Sequence, residues 1–513
     1  MENNIKRIVV VGGGTSGWWA AGYLSKMNPG LEITVIESPN IPKIGVGESV
    51  LPMTNLFFNK LGIDEKTWMK ECDAIYKLGN LKQGWNRKDD KEFFWGFWWN
   101  YDERMLKRSL NYRGDTTLLS HEKTAPRIGD YWWDMYVRGE KTIDDFNPDL
   151  TDSYSLVKNM CQPYYPDGTP ALGDFAPYTY HVNAELTCNI LRDQVGIPNG
   201  VKHILATVAN IDYIENEIKS ITLDDGRVVT ADLWIDCTGF RKMLIGKFNL
   251  EIKPYPNIRC NSAVVAPFEY RDRTVEQTPY TRSLGKDYGW QFIVTLNSRI
   301  GSGYVFDRNL LDPEQAKKDL LSFWPNNKPI KEPRLITWDP GRLKDSWISN
   351  CVAIGLSSFF IDPLEANGVF GIEYAVETLS RVLKRNDNQN TAYTRRLFSV
   401  AVGKLIDATE TFISHHYMHT DRDDTEFWRF YKDLGKRIGA EDLAWGYYMN
   451  HTNTQIHHYP STLWLSLIVY FNTCKDKRIP DLKPWVFEHA QNHFKFTQSQ
   501  SDIAAKHCIK SWK

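Results

Sequence analysis

The stretch Arg7-Ile-Val-Val-Val-Gly-Gly-Gly-Thr-Ser-Gly-Trp-Trp-Ala-Ala21 decides the fold. Its apolar, β-branched opening predicts a buried strand, and Trp18 to Ala21 predicts a helix. Gly12, Gly14 and Gly17, with Thr15 and Ser16 between, form G-x-G-x-x-G at the junction. Gly12 allows a tight turn and Gly14 lets backbone approach a pyrophosphate. Gly17 allows close helix–strand packing, and the helix N-terminus faces the phosphates. A second apolar run, Ile33-Thr-Val-Ile36, ends at Glu37, twenty residues past Gly17. An acid there suits a ribose hydroxyl. Strand, glycines, helix, strand and acid together predict a dinucleotide-binding unit.

Further pieces of the same fold recur later. Short strands over residues 202–238 end in Leu233-Trp-Ile-Asp-Cys-Thr-Gly239, and residues 350–355 read as another buried strand ending at Gly355. A helix follows, with Val369, Ile372, Val376, Leu379, Val382 and Leu383 on one face. The strand ending at Asp236 and Gly239 favours FAD over NAD. Only one glycine fingerprint is present, so no second site for a nicotinamide nucleotide is expected. The fold class is α/β: an FAD-binding, Rossmann-like core of two-dinucleotide-fold type, with inserted and C-terminal, mainly helical, substrate-binding regions. The core is expected over residues 1–400, with inserts at about 80–200 and 255–345. Residues 401–513 form the helical remainder, broken at Pro460 and Pro480.

Composition narrows the function. The formal net charge is −1 and no basic block occurs, so nothing points to nucleic acid. No run of about 18 apolar residues is present, so no membrane span is expected. Eight cysteines without a C-x-x-C pair give no zinc or dithiol motif, and a reducing, cytoplasmic setting is the default. His415, His416 and His419 have helical metal-ligand spacing but lack H-E-x-x-H, and no metal is assigned. Aromatics make up 13% of the chain, with 19 Trp, enough to wall a pocket for flat ligands or to fill a large core.

Four separated segments resemble the flavin-dependent tryptophan halogenases. Ile44-Gly-Val-Gly-Glu-Ser49 is similar to their flavin strap, placing Gly45, Val46, Gly47 and Glu48 at the cofactor. Ala74-Ile-Tyr-Lys77 resembles the segment that presents their catalytic lysine. Phe360-Ile-Asp-Pro-Leu-Glu-Ala-Asn-Gly368 resembles the segment that carries their catalytic glutamate, here Glu365. His416-Tyr417 and Thr420 to Trp428 also look familial. The resemblance spans roughly residues 5–430.

It implies a two-component enzyme that takes FADH2 from a separate flavin reductase. Reduced FAD and O2 form a flavin hydroperoxide, and halide attack gives hypohalous acid. That oxidant crosses to a substrate pocket, where Lys77 and Glu365 direct it onto an electron-rich aromatic. Halide is held by the backbone amides of Asn367 and Gly368. On their own chemistry, an ammonium can polarise a hypohalous acid, and a carboxylate can take a ring proton.

Two departures stand out. Where the family carries W-x-W-x-I-P, this chain reads Trp290-Gln-Phe-Ile-Val-Thr295, with Phe292 for the second Trp. The motif is thought to suppress monooxygenation. The Ser-Thr after the glutamate is Ala366-Asn367, which removes a hydroxyl beside the halide. The reading is therefore a halogenase for a free indole- or phenol-like substrate. Phe97, Trp290, Phe292 and Trp445 are its candidate pocket walls. An aromatic monooxygenase and a non-catalytic FAD-binding protein remain as alternatives, and homo-oligomerisation stays open.

Overall fold

The computed structural model describes residues 3–41, 47–98, 127–172, 178–439, 461–473 and 484–512. The chain divides into two compact units. The first comprises residues 1–74, 182–261 and 336–410, and the second residues 75–181, 262–335 and 411–513. Residues 182–200, 255–261, 336–345 and 401–410 therefore fall in the first unit.

The first unit is built on a six-stranded sheet. Its order is Trp347–Ile348, Cys351–Ala353, Leu233–Asp236, Arg7–Val11, Glu32–Glu37 and Lys202–Leu205. All neighbours pair in parallel except the first two. Parallel strands are covered on both faces, so they read as unbroken apolar runs. Ile8, Val9, Val10, Leu233, Trp234 and Ile235 are accordingly all buried. The fingerprint helix, Thr15–Met27, packs against the long helix Asn367–Arg385. The latter buries every residue of the predicted apolar face, from Val369 to Leu383. Asn28, at the end of the first helix, joins Ser380 of the second through buried hydrogen bonds of 2.5 and 3.3 Å.

The second unit contains a seven-stranded sheet. Ser262–Phe268, Ile300–Phe306, Gly289–Thr295, Thr281–Lys286, Gly79–Gln83 and Phe93–Gly96 follow in order, with Arg334–Thr337 at the far edge. Thr281–Lys286 runs parallel to Gly79–Gln83, and the other pairs within those six strands are antiparallel. The inserts, expected to be mainly helical, thus contribute this sheet. Their short β-branched and aromatic runs fit a pleated surface better than a helix. Helices cluster at Ile128–Val137, Phe146–Leu150 and Tyr154–Lys158, and again at Glu426–Ile438, Ser461–Tyr470 and Pro484–His507. The last packs on the Phe146–Leu150 and Tyr154–Lys158 helices. Among the described residues, no helix is long and apolar enough to cross a membrane.

Candidate active site

The cofactor cradle is assembled from the glycine turn upward. Gly12 sits at φ +112°, and a Cβ there would lie 2.3 Å from the Cys237 carbonyl oxygen. A Cβ on Gly17 would lie 1.8 Å from the Gly12 carbonyl oxygen. Nothing lies within 4 Å of the corresponding position on Gly14. Gly14 also begins the helix without a side-chain cap. The first amides of that helix are thus left to a ligand, and the space beside them is open, as a pyrophosphate requires. These residues fit FAD.

Glu37 closes the cradle at the end of its strand. Its Oε2 accepts from Trp18 Nε1 at 3.3 Å and pairs with His203 Nε2 at 3.0 Å. Gly13, the middle glycine, has a clear reason. A Cβ there would meet the Glu37 carboxyl at 2.2 Å. Sequence reasoning passed over both Gly13 and His203. The triple glycine was a usable signal for the first, and nothing marked the second.

Asp236, expected at the cofactor, is held by protein donors on both oxygens. Its Oδ1 accepts from Thr238 N, Thr238 Oγ1 and Ser357 Oγ at 2.7–3.0 Å. Its Oδ2 accepts from the amides of Leu244 and Ile245, both at 2.8 Å. Asp236 thereby ties the strand end to the turns that follow it. Through Ser357, which also donates to the Gly239 carbonyl, it links the turns at Gly239 and Gly355. Gly355 in turn leaves room for Ser16, whose hydroxyl a Cβ there would meet at 2.1 Å.

Strap and glutamate turn meet in the same unit, with Glu48–Ser49 running beside Leu364–Ala366. Burial pushes the Glu48 carboxyl up to about 7. Gly45 and Val46 lie outside the described residues. Glu365 and Ala366 both adopt left-handed backbone, at φ 62° and 55°. They deliver the chain into the Asn367–Arg385 helix, which has no side-chain cap. Asn367 braces this turn, its Nδ2 donating to the Asp362 and Leu364 carbonyls at 2.5 and 2.6 Å. Gly368 lies in the first turn of that helix, so its amide belongs to the same uncapped end.

Lys77 belongs to the second unit. It ends the short strand Ile75–Lys77, which pairs antiparallel with Thr179–Val182. It is only 1% exposed, and its ammonium stands 5.6 Å from the centre of the Phe97 ring. Nearby His181 is fully buried. Its Nδ1 donates to the Thr295 carbonyl at 2.9 Å, and its Nε2 accepts from the Thr281 hydroxyl at 2.8 Å. Burial, aided by the charge of Lys77, holds the imidazole down to about 3. The histidine therefore stays neutral.

Trp290 and Phe292 alternate onto one face of their strand, 6.1 Å apart. Lys82 was missed: it is buried with its ammonium 4.8 and 4.9 Å from the Trp85 and Trp95 rings. Trp445 lies outside the described residues. His415 Nδ1 and His419 Nε2 share a hydrogen bond of 2.8 Å. No group of three metal-binding side chains occurs among the described residues.

The family model for tryptophan halogenase matches residues 7–440. The chain belongs to the tryptophan halogenase family. It is 31% identical over 446 residues to a tryptophan 7-halogenase of Kutzneria sp. (strain 744), covering 84% of this chain and 80% of that one. A tryptophan 7-halogenase of Lentzea aerocolonigenes is 30% identical over 86% of this chain and 82% of its own. The crystal structure of a tryptophan 6-halogenase from Streptomyces toxytricini superposes with a TM-score of 0.83 at 26% identity, covering 99% of each chain. The enzyme is thus an FADH2-dependent halogenase, using halide and O2. Members of the family act on small aromatic substrates and draw reduced flavin from a separate reductase.

Proposed function

We propose that this halogenase acts on a free, electron-rich aromatic of indole or phenol type, with Lys77 and Glu365 carrying the transfer. Bound reduced flavin, with O2 and halide, supplies the halogen as hypohalous acid. Gly12, Gly14, Thr15, Ser16 and Gly17 hold its pyrophosphate and Glu37 its ribose. The strap from Gly45 to Glu48 and the turns at Gly239 and Gly355 line the remainder. The amides of Asn367 and Gly368 receive the halide, since uncapped helix amides favour an anion.

The chain's own groups perform the transfer. The Lys77 ammonium donates a hydrogen bond to the oxygen of the hypohalous acid. As the ring carbon forms its bond to halogen, the halogen–oxygen bond breaks and the oxygen leaves toward that donor. Glu365 then takes the proton from the ring carbon, restoring aromaticity. The observation that carries this reading is the burial of Lys77 against Phe97, beside a histidine held neutral. A buried ammonium acts on a neutral oxidant far more strongly than a solvated one. Phe97, Trp290, Phe292 and Trp445 are proposed to wall the aromatic. Phe292 in place of Trp favours one second reading, oxygen transfer to the same ring.

The test supplies FAD, a flavin reductase, O2 and either bromide or chloride, with a panel of indoles and phenols. A halogenated product is expected by mass spectrometry. Lys77→Ala and Glu365→Gln each lower the rate by about 100-fold or more, with FAD binding unchanged. A Lys77→Ala protein that halogenates at the full rate overturns the assignment. Halide-independent hydroxylation would establish the oxygenase reading.

A further inference from the structure

The reaction endangers the protein that performs it. An electrophilic halogen that attacks an electron-rich aromatic also attacks indole side chains, and the second unit gathers several of them. Trp85, Trp95 and Trp428 are all fully buried. Trp85 meets Trp290 at 5.9 Å and Trp428 at 6.0 Å between ring centroids.

The sheet register shows which face they share with Lys82. Residues opposite one another across a ladder, or two apart along a strand, share a face. Trp95 pairs with Asn80, two residues before Lys82. Lys82 pairs with Ser283, and Ser283 with Phe292. Trp95, Lys82, Phe292 and Trp290 therefore stand on one face, the face proposed to wall the substrate. Trp95 also lies two residues before Phe97, the ring nearest the Lys77 ammonium. Lys82 itself is 1% exposed. Its ammonium stands 4.8 Å from the centre of the Trp85 ring and 4.9 Å from that of Trp95. Burial opposes a charge there, but two ring faces attract it.

We propose that Lys82 shields Trp85 and Trp95 by its charge from the halogen this enzyme makes. The inference rests on the reading of hypohalous acid as the oxidant. Attack on an indole begins when a ring carbon takes the halogen and the halogen–oxygen bond breaks, releasing hydroxide. The ring is then a cation until its proton leaves to that hydroxide as water. A fixed ammonium opposes this cation. At the effective dielectric of a protein interior, two unit charges about 5 Å apart repel enough to slow the step about 100-fold. Lys77 and Lys82 thus have opposite tasks. Lys77 donates to the oxidant and promotes transfer, whereas Lys82 stands over rings where transfer is damage. Trp428 supplies an internal comparison. Arg422 stands 4.4 Å from its ring, but Asp424 pairs with that guanidinium at 2.8 Å and lowers the net charge the ring meets.

The test compares FAD-loaded wild type with K82M, which is neutral, and K82R, which keeps the charge. One arm runs turnover with a flavin reductase, O2 and bromide but no aromatic substrate. The other adds reagent hypobromous acid without turnover, so it reads the shield even if the enzyme uses a different oxidant. Peptide mapping by mass spectrometry then counts bromine on each tryptophan. K82M should gain bromine on Trp85 and Trp95 about 10- to 100-fold faster than wild type. K82R should match wild type, and Trp234 of the first unit should not change. K82Q, also neutral, replaces K82M if that protein does not fold. Equal bromination of Trp85 and Trp95 with and without the charge under added hypobromous acid, including none in either, would overturn the shield. So would an equal rise at Trp428, which would mark loosened packing rather than lost charge.

Discussion

The helices at Thr15 and Asn367 both start without a side-chain cap, and the chain enters them in opposite ways. The helix at Thr15 is entered through glycines, with Gly12 at φ +112° and Gly14 extended at φ −84°, ψ −164°. The helix at Asn367 is entered through Glu365 and Ala366, both left-handed and neither glycine. Glycine adopts such angles freely, whereas other residues lose about 1–2 kcal/mol each. The contrast follows from what each turn presents. A pyrophosphate is held by bare backbone, so side chains are excluded. In the proposed transfer the second turn presents a side chain, and the Glu365 carboxylate cannot be replaced by hydrogen. Strain of this kind persists where surrounding structure over-determines it, and here the Asn367 amide clasps the carbonyls of Asp362 and Leu364.

The largest effect is expected where the glycine turn is packed most tightly. In Gly17→Ala the new methyl would sit 1.8 Å from a backbone oxygen that has no freedom to move. We expect a stability loss of about 3 kcal/mol or more, read by thermal melting, and protein purified without flavin. Gly14→Ala separates packing from binding. Its backbone angles suit alanine, and nothing lies within 4 Å of the added carbon. Melting should move by no more than about 0.5 kcal/mol. FAD affinity, measured by flavin fluorescence, should drop about tenfold, or about 1.4 kcal/mol. Equal affinity would remove Gly14 from the phosphate path.

The same contrast explains what sequence could reveal. The glycine turn was legible because all its parts lie within one short segment and glycine advertises its conformation. The helix after Gly368 was legible from the spacing of its apolar residues. The left-handed pair at Glu365 was not, because neither residue signals positive φ. Its support comes from carbonyls placed by the turn itself. Asp236 was recognised as a strand-end marker, but its donors come from residues 238, 244, 245 and 357. Only the folded chain gathers them. Lys77 was found by resemblance to a family segment. Its neutral neighbour His181 depends on Thr281 and Thr295, 100 and 114 positions away. The sheet of the second unit was hidden for a related reason. Its strands are short, and the Thr281–Lys286 to Gly79–Gln83 pairing joins segments about two hundred residues apart.

The smallest effect is also the one that tests the strain directly. Ala366→Gly removes the left-handed penalty of about 1–2 kcal/mol. It also enlarges the freedom of the unfolded chain, which returns about 0.4–1 kcal/mol of that gain. The net expectation is a stabilisation of about 0.5–1 kcal/mol, visible as a modest rise in melting temperature. Alanine at 366 has no polar side chain, so the substitution alters no side-chain chemistry. A glycine at this position would nevertheless let the Glu365 carboxylate sample more directions. Halogenation should therefore slow by a few-fold while stability improves, with FAD affinity unchanged. If Ala366→Gly destabilises the protein, the left-handed angle is not strained, and the contrast between the two helix entries loses its energetic basis.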